Sequence, residues 1–368
     1  MSDDLTRLRA RIAALDTEIV RLAAERFALV REVGETKREQ SLPVRSFTAE
    51  ADVIARYRAA AREKGLPEGF AERLALQLIA GAVQLQEEAL PGSRPAVSRR
   101  ITIVGGAGKM GQWLAGYFAG QGHEVSIHDP AGDVEGFPSD ATLEGAVRNA
   151  EIVVLATPLG SGRAVLEKVL ALEPKGVVAD IFSLKSHVMD LLRNAASQGH
   201  PVTSLHPLYG PDVRTLSGRT LAVCDCGHAG ATEEATALFQ DTALTITVIP
   251  VERHDEIMQY VLGLSHLVSI LFFTTLAESG VPFAALEPMA STTFHKQTRA
   301  AASVASESPE LYYEIQKLNR HSAELFEKVR DSLGRIELAV RANSSAAFTG
   351  IMNRGHEYFP AVLPQELD

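Results

Sequence analysis

The chain has 368 residues, room for two or three domains. Hydrophobic residues make up 46% and charged residues 22%, an ordinary globular composition rather than a disordered or fibrous one. The net charge of −10 argues against general binding to nucleic acid or to an anionic membrane surface. No uninterrupted apolar run reaches the roughly 18 residues of a membrane span, and MSDDLTRLRA, charged from its outset, does not read as a signal peptide. Cys224 and Cys226 lie one residue apart in LAVCDCG, which disfavours a disulfide between them. No Cys/His cluster completes a metal site. Both cysteines read as strand or strand-end residues of a protein kept in a reducing cytoplasm.

Residues 4–38 carry a helical pattern. Leu5, Leu8, Ile12, Leu15, Ile19, Leu22, Leu29 and Val33 recur at alternating spacings near three and four, the a and d positions of a heptad. Arg26 interrupts this seam at an a position. Either its stem lies along the apolar edge with its head in water, or it is a buried cation placed to meet an anion. Arg26 and Lys37 share a face and lie roughly 16 Å apart along the axis, so two long side chains can close around a small dianion. Arg9 lies about 42 Å from Lys37 on a straight helix and cannot join the same small ligand. It must serve another site, such as a partner chain's, which predicts an antiparallel helical dimer.

Gly34 and LPVR (42–45) close this helix, a second runs from about Thr48 to Lys64, GLPEG (65–69) turns, and a third runs from about Phe70 to Ala89. The first ninety residues thus read as an all-α three-helix module with too little core to stand alone. PGSRPAVSR (91–99) is a linker.

An α/β Rossmann domain follows over 100–250. The strand Ile101–Val104 runs into GGAGKMG, whose Gly106, Gly108 and Gly111 form G-x-G-x-x-G, and a helix begins at Lys109 and Met110. Alone the motif is weak; between a strand and a helix, with a second strand EVSIHD ending at Asp129, it reads as a dinucleotide site. An acid at 129 suits the ribose hydroxyls of NAD and would repel the 2′-phosphate of NADP. Further strands are EIVVLATP (151–158) and GVVADI (176–181), and Thr157 and Pro158 should line the nicotinamide side of the crevice. DIFSLKS (180–186) places Ser183 and Lys185 at one strand end, and SLHPLYGPD (204–212) places His206 at another. A histidine there can take a proton from a hydroxyl as hydride leaves the same carbon. His123 and His128 read as ordinary residues around the second strand. Residues 251–360 read as helices, with apolar faces from Leu262, Leu267, Ile270 and Leu271 and from Ile315, Leu318, Leu325, Val329 and Ile336, and 361–368 as a tail.

LRARIAALDTEIVRLAAERFALVREVGETK resembles the first helix of the all-helical chorismate mutases, without a gap from about Leu5 to Leu90. The resemblance implies an intertwined homodimer in which the first-helix arginine reaches the partner's site. It implies that Arg9, Arg26 and Lys37 bind the two substrate carboxylates, that Glu50 meets the ring hydroxyl and that Gln86 bonds the ether oxygen. Such a pericyclic rearrangement needs no nucleophile and no metal, only a held conformer and charge stabilisation at the breaking ether oxygen. Three positions depart: Ser46, Ala49 and Ala82 stand where the family often has Asp, Arg and Ser.

The segments around Ser183 and His206, with VERHDEIMQY (251–260) and LSHL (264–267), look like prephenate dehydrogenase. Fused behind a mutase, this is the layout of the bifunctional T-protein family of tyrosine biosynthesis, over about residues 3–360. The resemblance implies that NAD takes hydride from C4 of prephenate as the ring carboxylate is lost. It makes His206 the acceptor at the C4 hydroxyl and Ser183 a support for His206 or the nicotinamide. Lys185, His254 and His266 are then pocket residues, and the C-terminal helices a dimerisation domain. The family's carboxylate-binding arginine, six residues before the proline of its acidic-Pro-x-x-[YW] stretch, is replaced by Ser303, six before Pro309. Arg299, one turn earlier, is the first replacement, with His295 and Lys296 behind it. These departures keep two alternatives open: the same two steps on 4-amino-4-deoxychorismate and 4-amino-4-deoxyprephenate, giving p-aminophenylpyruvate, or a working dehydrogenase carrying a non-catalytic dimerising or effector-binding helical module.

Overall fold

The computed structural model describes residues 3–39, 47–88, 98–213, 216, 218–240, 242 and 244–359. It divides into two compact units, Met1–His254 and Asp255–Asp368.

The first unit opens with helix α1 (Asp3–Glu39), followed by α2 (Phe47–Lys64) and α3 (Glu68–Glu88). Between α2 and α3 the chain turns at GLPEG, where the Leu66 amide donates to Ala61 O at 2.9 Å. Ile79 and Val83 of α3 pack with Val53 and Ile54 of α2. On the α1 side, Gly81 lets the Phe27 ring approach so closely that a Cβ would lie 2.8 Å from its Cζ. Much of the α1 seam is left uncovered by the described residues: Leu8, Ile12, Leu15 and Ile19 are all exposed, Leu15 by 63%. A continuous apolar seam left bare on a 37-residue helix is the surface a second helix covers.

The same unit holds a seven-stranded sheet in the order β2-β1-β3-β4-β5-β6-β7. In chain order its elements are β1 (Arg100–Val104), α4 (Lys109–Gly120), β2 (Glu124–His128), α5 (Leu143–Arg148), β3 (Ile152–Leu155), α6 (Leu159–Leu170), β4 (Val177–Asp180), α7 (Met189–Ser197), β5 (Val202–Pro207), β6 (Thr220–Asp225), α8 (Ala229–Ala237) and β7 (Thr245–Pro250). All neighbours are parallel except β5 and β6. IVVL of β3 and VVAD of β4 are buried along their whole length, which is why they read as apolar runs rather than alternations, and VTSLHP of β5 is equally buried although Thr203, Ser204 and His206 are polar. Phe118, Phe239, Leu114, Ile103 and Ile127 fill the core. Strand order reverses between β1 and β3, so a crevice opens beyond their C-terminal ends. Cys224 lies on β6 and Cys226 just past it, both free and buried.

Helix α9 (Val251–Met258) follows β7 directly and continues through a six-residue π turn (Gln259–Leu264) into α10 (Ser265–Glu278). The π turn was not foreseen. Beyond it the second unit contains α11 (Phe283–Leu286), α12 (Thr292–Ala305), α13 (Pro309–Leu318), α14 (Ser322–Arg341) and α15 (Ser345–Tyr358). Ser291, Ser308 and Ser344 cap α12, α13 and α15 by accepting from the amides of Phe294, Leu311 and Ala347. The continuous helix Val251–Glu278 is long and apolar enough, by length and composition, to cross a membrane. Its apolar residues are interrupted by Gln259, Ser265 and His266, so no unbroken apolar run is present, as expected, and the apolar character lies in the average over a stretch of the helix. Tyr260, Val261, Val268 and Leu271 on it are exposed.

Candidate active sites

The glycine turn is built by close approach. Gly105, not singled out from the sequence, adopts φ +88°, and a Cβ there would lie 2.8 Å from the Ala156 carbonyl beyond β3. At Gly111 a Cβ would lie 2.5 Å from Gly105 O, so only glycine lets α4 start this near the end of β1. Gly106 sits against the Ile127 side chain, and Gly108 caps α4 in extended conformation with no side-chain hydrogen bond. The first turn of α4, Lys109 to Gly111, therefore presents main-chain amides and the positive end of the helix dipole, the usual receptor for a pyrophosphate. The Lys109 side chain is exposed and Met110 is half-buried.

Asp129 closes the other side. Its Oδ2 accepts from the Ala107 amide inside the glycine turn at 2.9 Å, and its Oδ1 from Ala131 N at 2.8 Å. The carboxylate thus stands at the turn, where an adenosine ribose would bind. Thr157 lies just past β3, and its buried Oγ1 has no hydrogen-bond partner among the described residues. An orphaned hydroxyl at the switch point, beside a turn a Cβ would fill, fits a bound dinucleotide. Pro158 begins α6 at its N-cap. His128 bonds Asp140 O through Nδ1, and His123 receives the Arg99 amide, both structural roles.

His206, on β5, is 4% exposed, and His254, on α9, is fully buried. His206 Nδ1 and His254 Nε2 lie 2.9 Å apart in a hydrogen bond. His254 was expected to line the substrate pocket; it backs His206 instead, because α9 starts right after β7 and delivers its first turn to the end of the sheet. The Arg193 guanidinium holds that turn through two hydrogen bonds to Glu252, at 2.5 and 2.6 Å. Ser183 is half-buried in the turn between β4 and α7.

Lys185 also needs correction. Expected to line the pocket, it has no exposed surface. Its Nζ donates to Asp180 Oδ1 at 2.8 Å, Phe182 O at 2.6 Å and Leu205 O at 2.8 Å. A cation in so dry a place must be paired and bonded, and Asp180 supplies the charge. The lysine thereby ties the Ser183 turn to the strand residue preceding His206. Neither this role nor that of Asp180 was visible in sequence, since the acceptors are one carboxylate at the end of β4 and main-chain carbonyls of the following turn and of β5. In Lys185→Met the Asp180 carboxylate stays buried without its cation. The sheet domain should lose about 3–5 kcal/mol, read as a lower denaturant midpoint; an unchanged midpoint would show that the pair is dispensable.

In the second unit His266 is half-buried, its ring edge-on to Tyr312 at 4.5 Å between centroids. Burial pushes its pKa down to about 4, so the ring is neutral at physiological pH. His295, Lys296, Arg299 and Ser303 are all exposed on α12.

In the helical module Arg26 Nη1 donates to Leu78 O of α3 at 3.0 Å, which makes it a part-buried cation rather than a free edge residue. Burial lowers the pKa of half-buried Lys37, and the carboxylate of Glu50 on α2 opposes that shift. Arg9 is exposed, as is Ala49, and Ala82 is half-buried. The side chain of Gln86, the position of Ser46 and most of the linker lie outside the described residues.

Three domain families match the chain: Chorismate mutase type II over residues 8–87, the nucleotide-binding domain of prephenate dehydrogenase over 136–259, and its dimerization domain over 250–354. The chain joins a chorismate mutase to a prephenate dehydrogenase. The T-protein of Enterobacter agglomerans is 24% identical over 359 residues, 98% of this chain and 94% of that protein. The T-protein of Haemophilus influenzae is 22% identical over 356 residues, 96% and 92%. A 4-amino-4-deoxyprephenate dehydrogenase of Streptomyces pristinaespiralis is 27% identical over 270 residues, 70% of this chain and 90% of that one. The fold is shared with prephenate dehydrogenase from A. aeolicus, solved with hydroxyphenyl propionate and NAD+, at TM-score 0.57 and 18% identity over 71% of this chain and 98% of that one. The nucleotide-binding match begins beyond the glycine turn, so the reading of Gly105 to Gly111 rests on their own geometry.

Proposed function

We propose that this chorismate mutase–prephenate dehydrogenase makes prephenate in its first module and oxidises it in the remainder, as a bifunctional enzyme of tyrosine biosynthesis in the cytoplasm. The observation that carries the reading is the union, in one chain, of a mutase module with a dinucleotide crevice that has a buried histidine at a neighbouring strand end. In the first module Arg26 and Lys37 grip the substrate carboxylates, Glu50 meets the ring hydroxyl, Gln86 bonds the ether oxygen, and a partner's Arg9 completes the site. In the second, NAD when bound supplies the hydride acceptor. The α4 amides hold its pyrophosphate, Asp129 its ribose, and Thr157 and Pro158 border its nicotinamide. His206 accepts the hydrogen bond of the C4 hydroxyl and draws its proton as hydride leaves C4. Electrons of the ring carbon–carboxylate bond then aromatise the ring, CO2 departs, and His206 returns the proton to the phenolate oxygen. Ser183 supports His206 or the nicotinamide, and His266, Arg299 and His295 bind substrate.

The bare α1 seam and the exposed apolar residues of Val251–Glu278 support a homodimer. The same dimer would cover the helix that is apolar enough for a membrane.

Ser303 and Ala49 favour a second reading, in which both modules take the 4-amino analogues of chorismate and prephenate, as one relative's name indicates for its own substrate. The test is to follow NADH with NAD and either prephenate or 4-amino-4-deoxyprephenate, and chorismate consumption without NAD. Oxidation of prephenate in preference to its amino analogue, with chorismate consumed, is the expected result. Preference for the amino compound would replace the substrate, and an inert first module would make it a scaffold.

A further inference from the structure

We propose that His254 is a positioning residue that selects the tautomer of His206, leaving the lone pair of His206 on Nε2 for the substrate. The inference rests on the reading of His206 as the acceptor at the C4 hydroxyl.

The two rings share a hydrogen bond of 2.9 Å between His206 Nδ1 and His254 Nε2. A bond between two imidazole nitrogens needs one proton, on one of them. With His254 fully buried and His206 4% exposed, a charged pair, whether one ring or both are imidazolium, is disfavoured. Two neutral arrangements remain. If His254 Nε2 carries the proton, His206 accepts at Nδ1 and is a donor at Nε2. It could then point a proton, not a lone pair, at a hydroxyl. If His206 Nδ1 carries the proton, it donates to His254, and Nε2 is the acceptor. Nδ1 is occupied by His254 in either case, so a hydroxyl meets the ring at Nε2, and only the second arrangement serves the reaction. That arrangement requires His254 to hold its own proton on Nδ1.

The partner's placement is firmly built. His254 lies two residues after Glu252, which the Arg193 guanidinium grips by two hydrogen bonds, and Val251 at the helix start is buried. From the other side, Lys185 fixes Leu205 O, one residue before His206. Both rings are therefore held from behind, so that their bond is set before substrate arrives.

The test compares His254→Gln with His254→Leu in the full-length enzyme. The glutamine carbonyl can accept from His206 Nδ1–H; leucine cannot. A histidine base locked in the wrong tautomer loses up to about 10⁴-fold in kcat. For His254→Leu, kcat with prephenate should fall about 100-fold, with KM for NAD and the chorismate mutase rate unchanged. His254→Gln should recover to within about fivefold of wild type. Selective ¹⁵N-histidine NMR of the wild-type enzyme without substrate, assigned with the variants, should show His206 protonated at Nδ1. The proposal is overturned if His254→Leu turns over like wild type, if a folded His254→Gln is as slow as His254→Leu, or if His206 is protonated at Nε2. The NMR arm needs no variant activity and still decides if leucine prevents folding. A wild-type enzyme that does not oxidise prephenate would instead refute the functional reading and leave the tautomer result standing.

Discussion

In His206→Asn, prephenate-dependent NADH formation should fall by about 10³-fold while chorismate is consumed at the wild-type rate. General acid–base catalysis by one positioned side chain contributes about 10²–10⁴-fold, and asparagine has no nitrogen lone pair to receive the C4 hydroxyl proton. The loss should appear in kcat, since the interaction strengthens as hydride leaves. The fold should persist, because asparagine can still hydrogen-bond to His254. The measurement is steady-state NADH absorbance beside mutase assays on the same preparation. Undiminished NADH formation would remove His206 from the chemistry, and equal loss of both activities would point to misfolding.

The second large effect belongs to the first module. In Arg26→Met, chorismate consumption should fall by about 10²–10³-fold, the cost of removing one charged donor from a site that works by electrostatic stabilisation. Dehydrogenation of added prephenate should be untouched. The bond from Arg26 to Leu78 O would also be lost, costing about 1 kcal/mol, so the module should stay folded, which circular dichroism checks. Arg26→Lys should recover only part of the rate, because an ammonium cannot reproduce the planar fork of guanidinium. Wild-type mutase activity in Arg26→Met would mean that the grip on substrate lies elsewhere, and no activity in the parent enzyme would mean a scaffold.

Much of this protein was legible in one dimension. The heptads of α1, the turn at GLPEG, the glycine loop between β1 and α4, and Asp129 at the end of β2 all follow from local spacing. Their determinants, helical period, backbone freedom at glycine and strand alternation, act over a few neighbouring residues. The place of His206 near a strand end was also legible, because its position before Pro207 is a local fact.

Only the tertiary structure decided what Lys185, Asp180, Gly105 and His254 do. Lys185 and His254 were both read as pocket residues. Folding buries them because β4, β5 and α9 converge, and a buried cation or imidazole then takes whatever acceptor the neighbouring strand offers. Gly105 has no room for a side chain because of Ala156, which reaches it only through pairing of β1 with β3. Motif spacing thus determined which chemistry this chain is built for. Long-range packing determined which of the candidate side chains are buried and which groups hold them, since desolvation and hydrogen-bond geometry exist only once distant segments meet.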